Sequence, residues 1–153
     1  MATTFRVDTV EAVRVVLEAQ KTATPTQLRK VFTSQPGAIA ETPAAFIGNR
    51  TESITYTAQT RTREMTGLEV HLIDALIDAS ETDDRMDALV DLLVDRFTDA
   101  HAAISGGGGL LQLTSVVDTL ITLSGPRGDA VYRDTILGFG NPANPTFIME
   151  GRA

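Results

Sequence analysis

The sequence contains no cysteine, only two lysines and no long apolar run. Without cysteine the chain can form neither a disulfide framework nor a thiolate metal site. No apolar stretch approaches the roughly 18–20 residues needed to cross a bilayer, so we predict no membrane span and no membrane partner. The beginning of the chain, Met1 to Val10, lacks a basic segment followed by an apolar one, which predicts no signal peptide.

The residue patterns of common enzymes are also missing. The sequence has no Gly-x-Ser-x-Gly, no P-loop and no His-Glu-x-x-His. Its two histidines, His71 and His101, fall in different predicted elements, and we interpret both as structural. The carboxylates offer no acid/base pair, because few of them are expected to be buried. We therefore predict that the chain is not an enzyme and uses no metal and no cofactor.

What the chain does contain is a concentrated negative charge. The 153 residues carry a net charge of −7, and the stretch from Asp74 to Asp99 alone holds nine acids and two bases. Elsewhere eleven acids balance eleven bases. A dedicated nucleic-acid binder needs Lys and Arg on one face to neutralise phosphates, and this balance argues against such a protein. The length is typical of one domain, which we place at residues 1–153.

The acidic stretch predicts one amphipathic helix that ends near His101. Apolar residues keep the 3.6-residue period along one side: Met86, Leu89, Val90, Leu93, Phe97 and Ala100. Five aspartates step by four residues around the opposite side: Asp83, Asp87, Asp91, Asp95 and Asp99. Arg85 and Arg96 fall together on one flank of this acidic face.

Two interpretations of the acidic face stay open. It is either a solvated helix surface or a surface that meets a partner. Asp95 and Asp99 favour a partner, because they lie near the end of the helix where the dipole disfavours negative charge. A metal site is disfavoured, because the aspartates diverge around the helix and no calcium loop accompanies them.

The first half of the chain predicts helices and then a long hairpin. Asp8 can cap a helix that runs to about Gln20. Thr24-Pro25 predicts the start of a short second helix, with Leu28, Val31 and Phe32 as its apolar residues. A brief buried strand is expected from Pro43 to Gly48. Alternation from Thr51 to Arg63 and from Leu68 to Ile73 predicts an antiparallel hairpin with its turn near Glu64 to Gly67.

The rest of the chain predicts a glycine loop and three more strands. The loop is the run Gly106, Gly107, Gly108 and Gly109. Leu111 to Leu123 is expected to form a strand, and Val131 to Phe139 and Thr146 to Met149 a last strand pair. The order of helices, strands, a long helix and strands predicts an α+β fold with a mainly antiparallel sheet, a long hairpin and helices packed on one face.

Several segments, in this order, carry a resemblance to a known family. An N-terminal helix precedes a proline-marked segment, Gln35-Pro36 to Pro43-Ala44-Ala45-Phe46-Ile47-Gly48. The long hairpin follows, from Ile54-Thr55-Tyr56 through Arg61-Thr62-Arg63-Glu64-Met65-Thr66-Gly67-Leu68-Glu69-Val70-His71-Leu72. The acidic helix and a closing β segment with Tyr132-Arg133-Asp134 complete the order. This organisation, over nearly the whole chain, resembles the tail terminator (tail completion) proteins of long-tailed bacteriophages.

The resemblance implies a structural virion protein. Members of the family form hexameric rings that cap the finished tail tube, stop its polymerisation and offer a surface to the head. The implied partners are further copies of the chain, the tail tube protein and the head–tail connector protein. DNA would pass through the lumen of the ring without sequence-specific binding. The implied location is the head–tail interface of the virion, after assembly in the host cytoplasm.

The ring directs attention to two sets of residues. A closed ring uses head-to-tail contacts, so the acidic face could meet Arg61 and Arg63 of a neighbour, or it could line the lumen and repel DNA. The hairpin and the glycine run 106–109 are candidate partner contacts. Two alternatives remain open: a head–tail connector (neck) protein with the same general build, and, from another class, a monomeric ligand-binding α+β module.

Overall fold

The computed structural model describes residues 5–22, 28–37, 39, 41–76, 79–100, 112–125, 128–140 and 147–152. These residues form two helices, α1 (Phe5–Gln20) and α2 (Ala79–Ala100). They also form six strands: β1 (Lys30–Phe32), β2 (Ala44–Tyr56), β3 (Thr60–Ala75), β4 (Leu113–Gly125), β5 (Gly128–Phe139) and β6 (Phe147–Arg152). Five strands lie side by side in the order β1-β2-β3-β5-β4, and β6 pairs with β3. Of the described pairs, only β1 with β2 is parallel.

The main core lies between the sheet and both helices. Alternate residues of the central strands point to this helix-covered face and meet the apolar sides of α1 and α2: Val13, Leu17, Val70, Leu72, Met86, Leu93, Phe97, Leu137 and Phe139. The rings of Phe97 and Phe139 pack edge to face with their centroids 4.8 Å apart. A smaller apolar cluster covers the opposite face. The predicted α+β fold, with a mainly antiparallel sheet and helices on one face, is confirmed.

The long helix α2 is confirmed close to its predicted bounds. Its apolar side is buried, because Met86, Leu89 and Phe97 pack onto the sheet. The Thr82 hydroxyl donates a hydrogen bond to the Ala75 carbonyl at 2.9 Å, which ties the first turn of the helix to the end of β3. Neither described helix is long and apolar enough to cross a membrane.

The hairpin turn lies elsewhere than predicted. β2 and β3 pair from Ala44 opposite Ile73 to Tyr56 opposite Arg61, so the chain reverses between Tyr56 and Thr60. The turn is closed by a 2.8 Å hydrogen bond from the Thr57 amide to the Thr60 carbonyl. The predicted turn at residues 64–67 is wrong, since those residues are inside β3.

Gly67 lies at a β-bulge of the hairpin and not at its turn. β2 gains one residue between Ile47 and Arg50, and β3 gains one residue between Met65 and Gly67. These two bulges cancel in register but invert the side-chain alternation beyond them. Met65 therefore returns to the core on the helix-covered face.

The predicted short helix with Leu28, Val31 and Phe32 is also wrong. Lys30–Phe32 is β1, which runs parallel to the start of β2, and residues 23–27 lie outside the described part of the chain. A β-branched residue beside an aromatic one suits a strand, and the edge of β2 offers it hydrogen-bond partners. Neighbouring Leu28 is buried in the main core.

The last two strands do not pair with each other as predicted. β5 pairs with β3 along Leu68–Ala75 and with β4 on its other side, so both of its edges are occupied. β6 pairs with the outer half of β3, Thr60–Met65, which β5 leaves free. The sheet thus ends at β4 on one side and at β2, partly covered by β1, on the other.

Candidate functional site

β4 is an edge strand with an unusual exposure of apolar side chains. It pairs with β5 along its length, and its other side has no strand partner in the described ranges. Val116, Val117 and Leu120 are exposed, Leu120 by 62%. Proteins usually protect such edges with lysine, proline or a covering segment, but Val116 to Leu123 contains neither residue. An open edge of this kind is a template for pairing with another chain.

The exposed side chains lie on both faces of this edge. Val116 and Leu120 are opposite Leu137 and Arg133 and therefore point to the helix-covered face. Val117 points to the other face, since side chains alternate along a strand. A strand exposed only to water has no need of apolar side chains on either face, so their presence on β4 favours contact with a partner.

Arg133 gathers three aspartates beside this edge. Its Nη1 donates to Asp83 Oδ1 at 2.8 Å, and its Nη2 donates to Asp87 Oδ1 at 2.8 Å and to Asp118 Oδ1 at 2.9 Å. The Arg133 side chain is only 9% exposed, whereas each aspartate is more than half exposed. We call Asp83, Asp87, Asp118 and Arg133 the acidic cluster. Three carboxylates and one guanidinium give it a formal charge of −2.

The hydrogen bonds of the acidic cluster favour the charged forms of Arg133 and Asp118. Burial disfavours the charged form of Arg133, but the hydrogen bonds and charges of Asp87 and Asp118 outweigh burial and raise the pKa of Arg133. The hydroxyl of Thr135 and the guanidinium of Arg133 lower the pKa of Asp118. The cluster lines an open cleft of about 420 Å³, with Thr119 and Leu120 completing its wall.

The predicted flank residues Arg85 and Arg96 have different surroundings. Arg85 Nε donates to Asp74 Oδ2 at 2.5 Å, and Asp74 is fully buried between the sheet and α2. Arg85 thus neutralises a core carboxylate, although its own side chain is 46% exposed. Arg96 is half-buried, and its Nε has no hydrogen-bond partner in the described part of the protein.

The remaining predicted residues divide into exposed and undescribed ones. Asp91 and Asp95 are exposed on the outer face of α2, together with Asp84. The aspartates of the predicted acidic face therefore split, because Asp83 and Asp87 bind Arg133 whereas Asp91 and Asp95 meet solvent. Asp99 lies in the last turn of α2, and the structure does not describe its side chain. The glycine run 106–109 lies outside the described residues.

A second charged cluster lies on the hairpin. Arg63 donates to both carboxylate oxygens of Glu52, with Nη2 to Oε1 at 2.9 Å. Arg6 of α1 approaches the same carboxylate at 3.6 Å. The hydrogen bonds of Arg63 lower the pKa of Glu52, burial opposes them, and the charges of Arg63, Arg6 and Arg61 add to the lowering.

We call Arg6, Arg61, Arg63 and Glu52 the basic cluster, which has a formal charge of +2. The Arg6 side chain is 52% exposed. Arg61 has a buried Nε without a hydrogen-bond partner among the described residues. The sequence pointed to Arg61 and Arg63, but it gave no sign that Arg6 and Glu52 join them.

A histidine network on the face away from the helices was missed by sequence reasoning. His71 Nδ1 lies 2.8 Å from Asp134 Oδ2, its Nε2 lies 3.2 Å from Glu69 Oε2, and its ring stacks on Phe46 with centroids 4.5 Å apart. Burial disfavours the imidazolium, but Asp134 and then Glu69 outweigh burial and raise the pKa of His71. Both ring nitrogens are engaged, so the geometry stabilises a structural cation and leaves no free nitrogen to act as a base.

Comparison with known proteins identifies no family for this chain. No protein-family model matches the chain, and no curated protein sequence matches it significantly. Within the described ranges no group of three or more His, Asp or Glu is placed to hold a metal ion. The open edge β4 and the two charged clusters are therefore the candidate functional surfaces.

Proposed function

We propose that this chain is a structural protein of a long bacteriophage tail. It forms a hexameric ring that caps the tail tube, ends its polymerisation and provides the surface for head attachment. The observation that carries the proposal is β4, a 13-residue edge strand with exposed apolar side chains on both faces. Such a strand is suited to a chain that is covered by another chain in its working state.

A ring built from one kind of chain needs two unlike surfaces that fit each other. The open edge β4 supplies one such surface. The outer half of β2 supplies another, because β1 covers only Ala44 to Phe46. The two surfaces lie at opposite edges of one sheet, so neighbouring copies can join them head to tail.

The proposed ring has a partner on each side and DNA in its lumen. The tail tube protein binds one side, and the head–tail connector protein binds the other. The glycine run 106–109 is the proposed tube contact. Exposed Asp84, Asp91 and Asp95 of α2 supply negative charge that repels DNA phosphates where it faces the lumen, so that the duplex slides without being held.

The ligand-binding alternative has weaker support. Small-molecule sites are mostly apolar, concave and enclosed. The cleft at the acidic cluster is open to solvent and lined by three aspartates. A neck protein would share the ring architecture. Deletion of the gene distinguishes a terminator from a neck protein, because the two deletions give different particles.

Deletion of the gene from the phage or prophage that carries it tests the proposal. A missing terminator gives overlong tails without heads, as seen by negative-stain electron microscopy. A missing neck protein gives tails of normal length and unattached heads. Normal particles would contradict both assignments. Complementation with a chain that lacks residues 106–109 then shows whether the glycine run is needed for tube attachment, since the variant should fold and yet fail to cap.

A further inference from the structure

We infer that β4 and the acidic cluster receive the hairpin of a second copy of this chain, so that the β2 edge and the basic cluster of one copy lie against β4 of the next. This inference rests on the proposed ring and names the two surfaces that meet in it. The occupant of the open β4 edge is thus another copy, bound head to tail.

The two clusters carry reciprocal charge. The acidic cluster surrounds one arginine with three carboxylates, and the basic cluster surrounds one glutamate with three guanidinium groups. The excess charges, −2 and +2, cancel when the clusters meet. They do not meet within one chain, since Arg61 and Arg63 lie near the hairpin tip, about ten residues along β3 from Asp74, which is opposite Arg133. Complementary charge on opposite edges steers copies into head-to-tail contact.

Both clusters also lie on the same face of the sheet. Glu52 is opposite the core residue Met65, and Arg133 lies beneath α2. When the β2 edge of one copy pairs with β4 of the next, the helical layers of both copies stay on one side. The two clusters then face each other across the junction.

Exposed apolar side chains lie on both of the surfaces that would meet. Ile54 and Tyr56 of the hairpin are 47% and 65% exposed and point to the helix-covered face, as Val116 and Leu120 do. Antiparallel pairing that sets Asp118 opposite Ile54 sets Val116 opposite Tyr56 and Leu120 opposite Glu52. Ile54 then lies diagonally beside both Val116 and Leu120, within reach of their side chains. Thr119 then lies opposite Ser53 on the other face.

This pairing staggers neighbouring copies along the strands. The acidic cluster lies about ten residues along β3 from the basic cluster, which is roughly 30 Å at the rise of a strand. A stagger between neighbours is what a sheet needs in order to close on itself with tilted strands.

Cysteine trapping tests the pairing cleanly, because the chain has no cysteine of its own. The variant with Thr119→Cys and Ser53→Cys should form disulfide-linked oligomers on mild oxidation, since opposed residues of paired strands meet disulfide geometry. Both positions are exposed. The control variant, Thr119→Cys with exposed Ser34→Cys, should stay unlinked.

Each other outcome of the trapping experiment overturns the inference in a distinct way. Efficient linking of Thr119→Cys alone would mean that β4 pairs with β4 of a symmetry mate. Unlinked chains that still form oligomers by light scattering would reject this junction and leave the ring proposal standing. A chain that stays monomeric at every concentration, with no linking, would remove both.

A charge exchange gives a second readout. Arg61→Glu should weaken self-association at least about tenfold, which corresponds to about 1.4 kcal/mol. Adding Asp87→Lys to that variant should restore association. Lys21→Glu makes the same charge change on another surface and should have no effect. Sedimentation velocity measures association below the melting temperature of every variant, and circular dichroism shows that each variant keeps the wild-type fold. Asp87→Lys also removes a hydrogen bond of Arg133, so its melting temperature should fall below that of the wild type. Equal loss for Arg61→Glu and Lys21→Glu would overturn the docking of the charged clusters.

Discussion

Replacement of Arg133 by methionine should cost about 1.5–3 kcal/mol of unfolding free energy. The guanidinium donates charged hydrogen bonds to three aspartates at 2.8–2.9 Å. Breaking a fully buried ion pair costs about 3–5 kcal/mol, because a charge is left without a partner. Here the aspartates are more than half exposed and water can rehydrate them. Each contact is therefore closer to the ~0.5–1 kcal/mol of a partly exposed pair, and three of them give the expected total.

Urea unfolding at neutral pH, followed by circular dichroism, measures this difference. The matched control is Arg14→Met, which removes an arginine from an exposed contact with Glu11 and Glu18 on α1. The control should unfold with the wild-type midpoint. If Arg133→Met were as stable as the control, the acidic cluster would contribute nothing to the fold.

Acid titration adds a second measurement for the same variant. The folded pKa of Asp118 is lowered, so its stabilising effect is present above the ordinary aspartate pKa of about 4 and is lost as pH falls through the lower folded pKa. Wild-type stability should therefore fall steeply in this acid range. Arg133→Met should show a shallower fall, because the main cation beside Asp118 is gone. Identical slopes would mean that Arg133 does not hold the carboxylate.

Three further predictions concern other surfaces. The pKa of His71 is raised, so its contribution is present below about pH 6.5 and lost as pH rises through the folded value; the stability advantage of wild type over His71→Gln should shrink between about pH 6 and pH 9 in urea unfolding, and a constant advantage would refute this. Gly48→Ala would place a Cβ 2.7 Å from the His71 ring and should cost about 1–3 kcal/mol, whereas Gly37→Ala meets no atom within 4 Å and should be neutral; equal thermal midpoints would contradict the close packing. Leu120→Ser should reduce self-association in sedimentation while leaving the melting temperature unchanged, because that side chain is 62% exposed, and unchanged association would exclude the β4 edge as the junction.

Local periodicity was sufficient to predict those helices and strands whose hydrophobic pattern lies within their own sequence. The helix α2 could be predicted because Met86, Leu89 and Phe97 repeat at the helical period and face the sheet in the structure. The α+β class followed from the order of such elements. The hairpin turn could not be placed, because none of Thr57, Ala58 and Gln59 is a residue type that is typical of turns. Gly67 is of such a type, but it lies in a bulge of β3.

The candidate site was less predictable, because it depends on contacts between distant segments. The four-residue spacing of Asp83 and Asp87 was visible, but their shared partner Arg133 is 50 and 46 residues away in the sequence. The network of His71 with Asp134 spans 63 residues and requires the pairing of β3 with β5. Only Glu69, two residues before His71 on the same face of a strand, gave a local signal for that network.

The paired bulges of the hairpin have a consequence for how this arm can change. Because each strand has one additional residue, the pairing register is the same at the tip of the hairpin as at its base. The two bulges also turn Arg61, Arg63 and Glu52 toward the face that carries α1. Loss of one additional residue alone would misalign every pair beyond it. Loss of both would restore alignment and move the positive charge to the opposite side of the sheet. The direction in which this arm displays its charge is therefore set by two coupled insertions, so it can be re-aimed without altering a single charged residue.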